Sequence, residues 1–240
     1  TAMSYADNPY AAPGYLFAAD AAADERAGFI AKTYAHLAGA IAVFIGLEAV
    51  LLNLPGIENL VGMMVGTQYG WLIVLGAFMA VSWIADSWAR SAVSPGKQYL
   101  GLGLYVVAEA VIFVPMLFIA QRMDPQIVPM AGATTLVLLG ALTAVVFITR
   151  KDFSFLRTIL MFGGFAAMGL IVVAILFGFT LGPIFTYAMI AFACGYILYD
   201  TSNVLHHYRI GQHVAAALAL FASVALLFWY IVRLFLSSRR

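Results

Sequence analysis

The residues best suited to chemistry lie in one short run, Gly195-Tyr196-Ile197-Leu198-Tyr199-Asp200-Thr201-Ser202-Asn203, at the end of a long apolar stretch. Residues three and four apart share one face of a helix. Tyr196, Asp200, Asn203 and His207 therefore bring a phenol, a carboxylate, an amide and an imidazole to one level. Oxygen donors of this kind suit a hard cation such as calcium, with Asp200 as the charged metal ligand. A polar cap on a helix end accounts for the same spacing equally well.

Other ionisable residues also interrupt apolar runs. A charged side chain facing lipid is costly, so such residues turn to a bundle interior or a water-filled cavity. Glu109 falls near mid-segment with Gly101 and Tyr105 on its face. A hydrogen-bonded structural glutamate and a proton or cation site are its two readings. Glu48 lies near the outer end of its segment, where a carboxyl can reach the interface. Asp86 and Arg90 are four apart, the spacing of a helical ion pair worth a few tenths of a kcal/mol. Pro115 is expected to bend its helix and free a backbone carbonyl. His206, His207 and His213 are close in sequence, but adjacent histidines leave a helix on different sides, so they read as loop residues rather than metal ligands. The candidate ion-pathway residues are Asp200, Tyr196, Asn203, Arg90, Asp86, Glu109 and Glu48.

The elements that must position them follow from composition. Of the 240 residues, 64% are hydrophobic and 10% charged, and the mean hydropathy is +0.98. A soluble domain carries roughly 45–50% apolar and about 25% charged residues. An ordinary soluble domain, a disordered chain and a disulfide scaffold are excluded; Cys194, the one cysteine, reads as a small core residue. A net charge of +1 gives no reason to expect a nucleic-acid partner. The partner implied is the lipid bilayer.

A spanning helix needs about 20 apolar residues. Seven segments qualify, near 28–52, 70–89, 98–121, 129–149, 155–178, 182–205 and 213–236, with turn signals such as Asn53-Leu54-Pro55-Gly56, Ser94-Pro95-Gly96 and Gly182-Pro183 between them. The runs are continuous, without the alternation of a spanning barrel. The expected architecture is an all-α membrane protein: a flexible N-terminal tail over 1–27, lacking the pattern of a cleaved signal peptide, then one seven-helix domain over 28–240.

Lys and Arg favour the cytoplasmic side. With the N-terminus inside, that side receives Arg26, Lys32, Arg90, Lys97, Arg150, Lys151, Arg157 and Arg209, and the outer loops receive Arg122. Arg233, Arg239 and Arg240 near the C-terminus oppose the rule, outweighed by the loops. No lysine lies in mid-bundle for a retinal Schiff base. No H-E-x-x-H pair occurs, and Ser223 has no histidine beside it in an apolar core. The chain is therefore expected not to be an enzyme and to need no cofactor other than a calcium ion.

Several stretches together resemble the transmembrane Bax inhibitor motif family. They are the run from Gly195 to Tyr208, the Thr149-Arg150-Lys151-Asp152-Phe153-Ser154-Phe155-Leu156 junction, Thr134-Thr135 with Leu142-Thr143, and Lys32-Thr33-Tyr34-Ala35-His36-Leu37. The resemblance covers nearly the whole chain from about residue 28. It implies a seventh helix at the centre of the other six. For a bacterial member it implies an inner-membrane protein with a pH-sensitive calcium leak. In that scheme an aspartate on helix six and one on helix seven share a proton and close the inner mouth. Asp200 matches the first; the stretch Leu220-Phe221-Ala222-Ser223-Val224-Ala225-Leu226-Leu227-Phe228 puts Ser223 where the second is expected. Two functions follow as expectations. One is a passive calcium leak gated at Asp200. The other is a non-conducting regulator that binds other membrane proteins in stress or cell-death control.

Overall fold

In hydrocarbon every backbone N–H and C=O must be bonded within the segment, so long apolar runs without alternation become helices. The computed structural model describes residues 16–91 and 94–239. Eight helices occur among them: α1 Ala23–Leu51, α2 Ile57–Val65, α3 Gln68–Ala89, α4 Pro95–Met123, α5 Ile127–Thr149, α6 Leu156–Phe177, α7 Pro183–His206 and α8 His213–Ser238. All but α2 are long and apolar enough to cross a membrane. These are the seven expected spans, and the chain is an integral membrane protein. Odd and even connections alternate between two faces. The N-terminal face holds the start of α1 and the α3–α4, α5–α6 and α7–α8 links; the other holds the C-terminus.

Local chemistry sets the boundaries. Thr67 accepts a hydrogen bond from the Gly70 N–H (3.0 Å) and starts α3, and Ser94 accepts one from the Lys97 N–H (3.3 Å) ahead of Pro95 in α4. Gly178, at φ +71°, ends α6 in the left-handed conformation that glycine adopts without strain. Pro115 sits within α4, which continues past it to Met123.

α8 is the centre of the bundle. Of its most apolar stretch 72% is buried, against half for α4 and a third or less for the other spans. It packs on α1, α3, α4, α5 and α7. Its sequence allows this, being apolar on every side from Val214 to Val232 apart from Ser223 and Tyr230, with Ala215, Ala216 and Ala217 admitting close neighbours. Phe113 of α4 stacks on Phe228 (5.5 Å) and meets Trp229 edge-on (5.0 Å). Gly101 lets α4 approach α3 so closely that an added Cβ would lie 2.5 Å from the Ala85 carbonyl oxygen. α6 is the outlier, held mainly by α7 and sparsely by α3.

Two expectations change. The flexible tail was expected to reach residue 27, but α1 begins at Ala23 and residues 16–18 are docked. The Ala18 N–H donates to the Tyr208 carbonyl (2.8 Å), the Ile210 N–H to the Leu16 carbonyl (2.9 Å), and Phe17 forms a β-bridge with Arg209. Residues 1–15, and Arg240, lie outside the described residues. The expected first outer loop contains α2, whose Ile57 and Val61 pack against Val114, Leu51, Leu52 and Phe118. Pro55-Gly56 breaks α1 as expected, yet the following Ile57, Val61 and Met64 recur at helical spacing and bury a face.

Candidate functional site

α7 and α8 form a tightly packed antiparallel pair, and their register sets Asp200 against Ser223. The Ser223 Oγ donates to the Asp200 Oδ2 at 2.5 Å, and both side chains are buried. A lone carboxylate in this apolar bundle is thus satisfied by the one hydroxyl that α8 carries at its level. Arg90, in the α3–α4 link, is near enough to act on Asp200 through space. Its own hydrogen bonds go to Asp86, whose two oxygens accept from Nε at 2.9 and 2.8 Å. The Asp86 contact, helped by Tyr208, keeps the Arg90 guanidinium more firmly charged than usual. Burial pushes the Tyr208 hydroxyl up, and the nearby Asp200 charge adds to this. Asp86 therefore does not stand in for a second carboxylate at Asp200; Arg90 holds it.

The four-residue constellation read along α7 disperses. Tyr196 turns to α6 and donates to the Leu160 carbonyl (3.2 Å). His207 faces Asp152, with Nε2 3.1 and 3.2 Å from its carboxylate oxygens. The Asn203 carbonyl accepts the His207 and Tyr208 N–H groups, both at 2.9 Å, and closes the helix. Tyr196 and His207 each have a partner on another element, so Asp200 is left with Ser223. Glu109 is buried on α4 with the Tyr105 hydroxyl against it. Glu48 departs from the expected reach to the interface: it is 5% exposed, and neither carboxylate oxygen has a hydrogen-bond partner. One turn beyond it Leu51 and Leu52 pack against the cluster of Ile57, Val61 and Val114, and α1 itself is packed on α8 and α4.

Among the described residues no three His, Cys, Asp or Glu side chains gather as a metal-holding group. Ser223 also forms part of the floor of a cavity of about 650 Å³ between α3, α4, α6, α7 and α8, together with Tyr105, Glu109 and Tyr196. That cavity runs toward the C-terminal face, so the Asp200–Ser223 contact lies between it and the N-terminal face.

Below the contact, the N-terminal face is fastened by residues that spacing did not single out. Buried Ser202 accepts the Phe153 N–H (2.9 Å) and ties α7 to the α5–α6 junction. Asp152 is half-exposed. What burial it has works to raise its pKa, but the Ser154 N–H and His207 outweigh this and hold the carboxylate below its usual range. A depressed carboxylate adds stability above its ordinary pKa and loses it as the pH falls through the lowered value. Solvent screening keeps the term small. Asp152→Asn is expected to lower stability by less than about 1 kcal/mol at neutral pH. Thermal unfolding in detergent should show the variant and the parent converging below about pH 4.

Comparison with known proteins adds a family. The family described as inhibitor of apoptosis-promoting Bax1 (Bax1-I) matches residues 26–240. A BI1-like protein of Arabidopsis thaliana is 35% identical over 120 residues, 46% of this chain and 45% of that protein. Protein LIFEGUARD 4 of the same plant is 30% identical over 142 residues, 58% of this chain and 57% of its own length. The chain spans about half the length of these curated relatives.

Proposed function

The chain belongs to the Bax1-I family, and from that membership we propose that it is a cation leak, with calcium as cargo, closed at the Asp200–Ser223 contact. The observation that carries this reading is the buried 2.5 Å hydrogen bond between α7 and α8 at the floor of the cavity. A cation arriving through the cavity would pass Arg233 and meet Glu109 with the Tyr105 and Ser223 hydroxyls before it reached the Asp200 carboxylate. Passage requires α7 and α8 to part at this level, and the Ser223 hydroxyl opposes that. Where the resemblance implies two aspartates sharing a proton, a serine–aspartate bond closes without taking a proton from solution. The eight basic residues grouped on the N-terminal face favour that face as the cytoplasmic one. A bacterial inner membrane remains the proposed location, and no enzymatic step is assigned.

The experiment is calcium flux into liposomes carrying the purified protein or Asp200→Ala. Removing the carboxylate frees Ser223 and removes the last anionic group on the path, so the rates should differ several-fold. Equal rates would take Asp200 out of the mechanism. The specific observation favouring the second reading, a non-conducting regulator of other membrane proteins, is that Ser223 leaves the contact with one charge and a complete hydrogen bond. Ion flux from the purified protein alone would exclude that reading.

A further inference from the structure

The cavity above Ser223 ends in a cation. Arg233 lies ten residues beyond Ser223 on α8 and lines the same cavity, about 15 Å away along the helix axis. Its Nη2 donates to the Leu181 carbonyl in the α6–α7 turn (2.6 Å), and its guanidinium lies 5.8 Å from the Phe185 ring centre. Among the described residues it has no carboxylate partner, whereas Arg90, Arg122 and Arg239 are paired with Asp86, Glu58 and Asp124. A guanidinium carries five N–H donors, so Arg233 keeps donors for an anion. Between it and the floor the walls are apolar, with Leu75, Ile112, Ala167, Met168, Ile171 and Leu226 among them. The sparse contact of α3 with α6 leaves this side of the bundle loosely closed toward lipid.

We propose that this cavity binds a long-chain fatty acid, its carboxylate on Arg233 and its hydrocarbon chain lying along the apolar walls toward Ser223. One unpaired cation and one apolar cavity of about 650 Å³ fit one carboxylate and one chain; the volume is typical of sites that enclose a small molecule. Charge complementarity selects an acid over a neutral amphiphile, because a half-buried guanidinium recognises a carboxylate through two parallel N–H···O bonds. The inference does not rest on the leak reading, since binding is measured without ion flux.

Two of the chain's four tryptophans supply the readout. Trp71 and Trp229 both line the cavity, stacked with ring centres 5.9 Å apart. Titrating 9,10-dibromostearate into the full chain in a neutral detergent should quench tryptophan emission saturably. Trp71→Phe/Trp229→Phe should lose the saturable part. The methyl ester of the same acid, tested on the unaltered protein, should bind at least about tenfold more weakly. Arg233→Gln should weaken binding of the acid to a similar extent and Arg233→Lys much less, while Ala167→Phe, which fills the cavity, should abolish saturation. Ester and acid quenching alike would overturn the proposal. So would a saturable signal that survives in the Trp71→Phe/Trp229→Phe protein. A brominated phosphatidylglycerol binding more tightly than the acid would replace the proposed occupant with a membrane phospholipid.

Discussion

Ser223→Asp is expected to make calcium passage steeply pH-dependent, with the rate rising toward alkaline pH. The Ser223 Oγ is 2.5 Å from the Asp200 carboxylate, so an aspartate there would set two carboxylates nearly in contact. Two such groups cannot both ionise cheaply, and they behave as one pair that shares a proton. With the proton present, the pair keeps a hydrogen bond and α7 and α8 stay together. As pH rises the proton leaves, both groups are charged, and repulsion drives the helices apart. A single proton linked to opening changes the open-to-closed ratio by up to about tenfold per pH unit. The parent protein has one titratable group in this contact in place of a coupled pair, so its flux should vary less steeply with pH. Stepping the pH outside liposomes loaded with a calcium-sensitive dye measures both. A flat profile for Ser223→Asp would mean that this contact is not the closure. Ser223→Ala is the control: it leaves a buried carboxylate without its donor, at a cost of about 1–3 kcal/mol in stability.

Glu48→Met is expected to stabilise the protein by about 1–3 kcal/mol, the usual cost of burying an unpaired polar group. Glu48 is enclosed between α1 and its neighbours, and neither of its oxygens finds a donor. Methionine has nearly the same length and no polar atoms, so it fills the space without the penalty. The midpoint of thermal unfolding in detergent measures the gain. Glu48→Gln, which keeps the polar group buried, should recover little of it. Proteins accept such costs chiefly where a residue serves function. The leak reading therefore adds that Glu48→Met should conduct less than the parent while being more stable, and a variant that gains stability with unchanged flux would confine Glu48 to a structural role.

Much of the architecture was legible because lipid leaves a chain few options. Seven uninterrupted apolar runs could only become spanning helices, and Gly182-Pro183 begins α7 as expected, while Ser94-Pro95, read as part of a turn, opens α4 three residues before the expected start. α2 was not legible as a separate element, since nine residues between Gly56 and Gly66 are too short to announce themselves against two flanking spans. The error at Glu48 has a similar source: sequence gives its depth along α1, whereas its burial depends on which helices pack around α1. Asp200 was legible by its isolation in an apolar run. Its neighbours along α7 were misassigned because spacing fixes only the direction in which a side chain leaves the helix. Tyr196 meets α6 and His207 meets the α5–α6 junction, and both contacts depend on packing between distant segments. Ser202 was quoted within the polar run but given no role of its own, because its importance lies in a backbone N–H 49 positions away.

The central place of α8 constrains how the molecule is assembled. The helix that five others surround follows the other six described spans in the chain. Domains are generally built from the N-terminus as the ribosome proceeds, but here the earlier spans would wait in the bilayer as a ring without its axle. Their inward faces, including the Asp200 carboxyl, would stay in a provisional arrangement until α8 slides between them. Nascent chains arrested before residue 213 should therefore be inserted yet unfinished, and accessible to whatever quality control patrols the membrane.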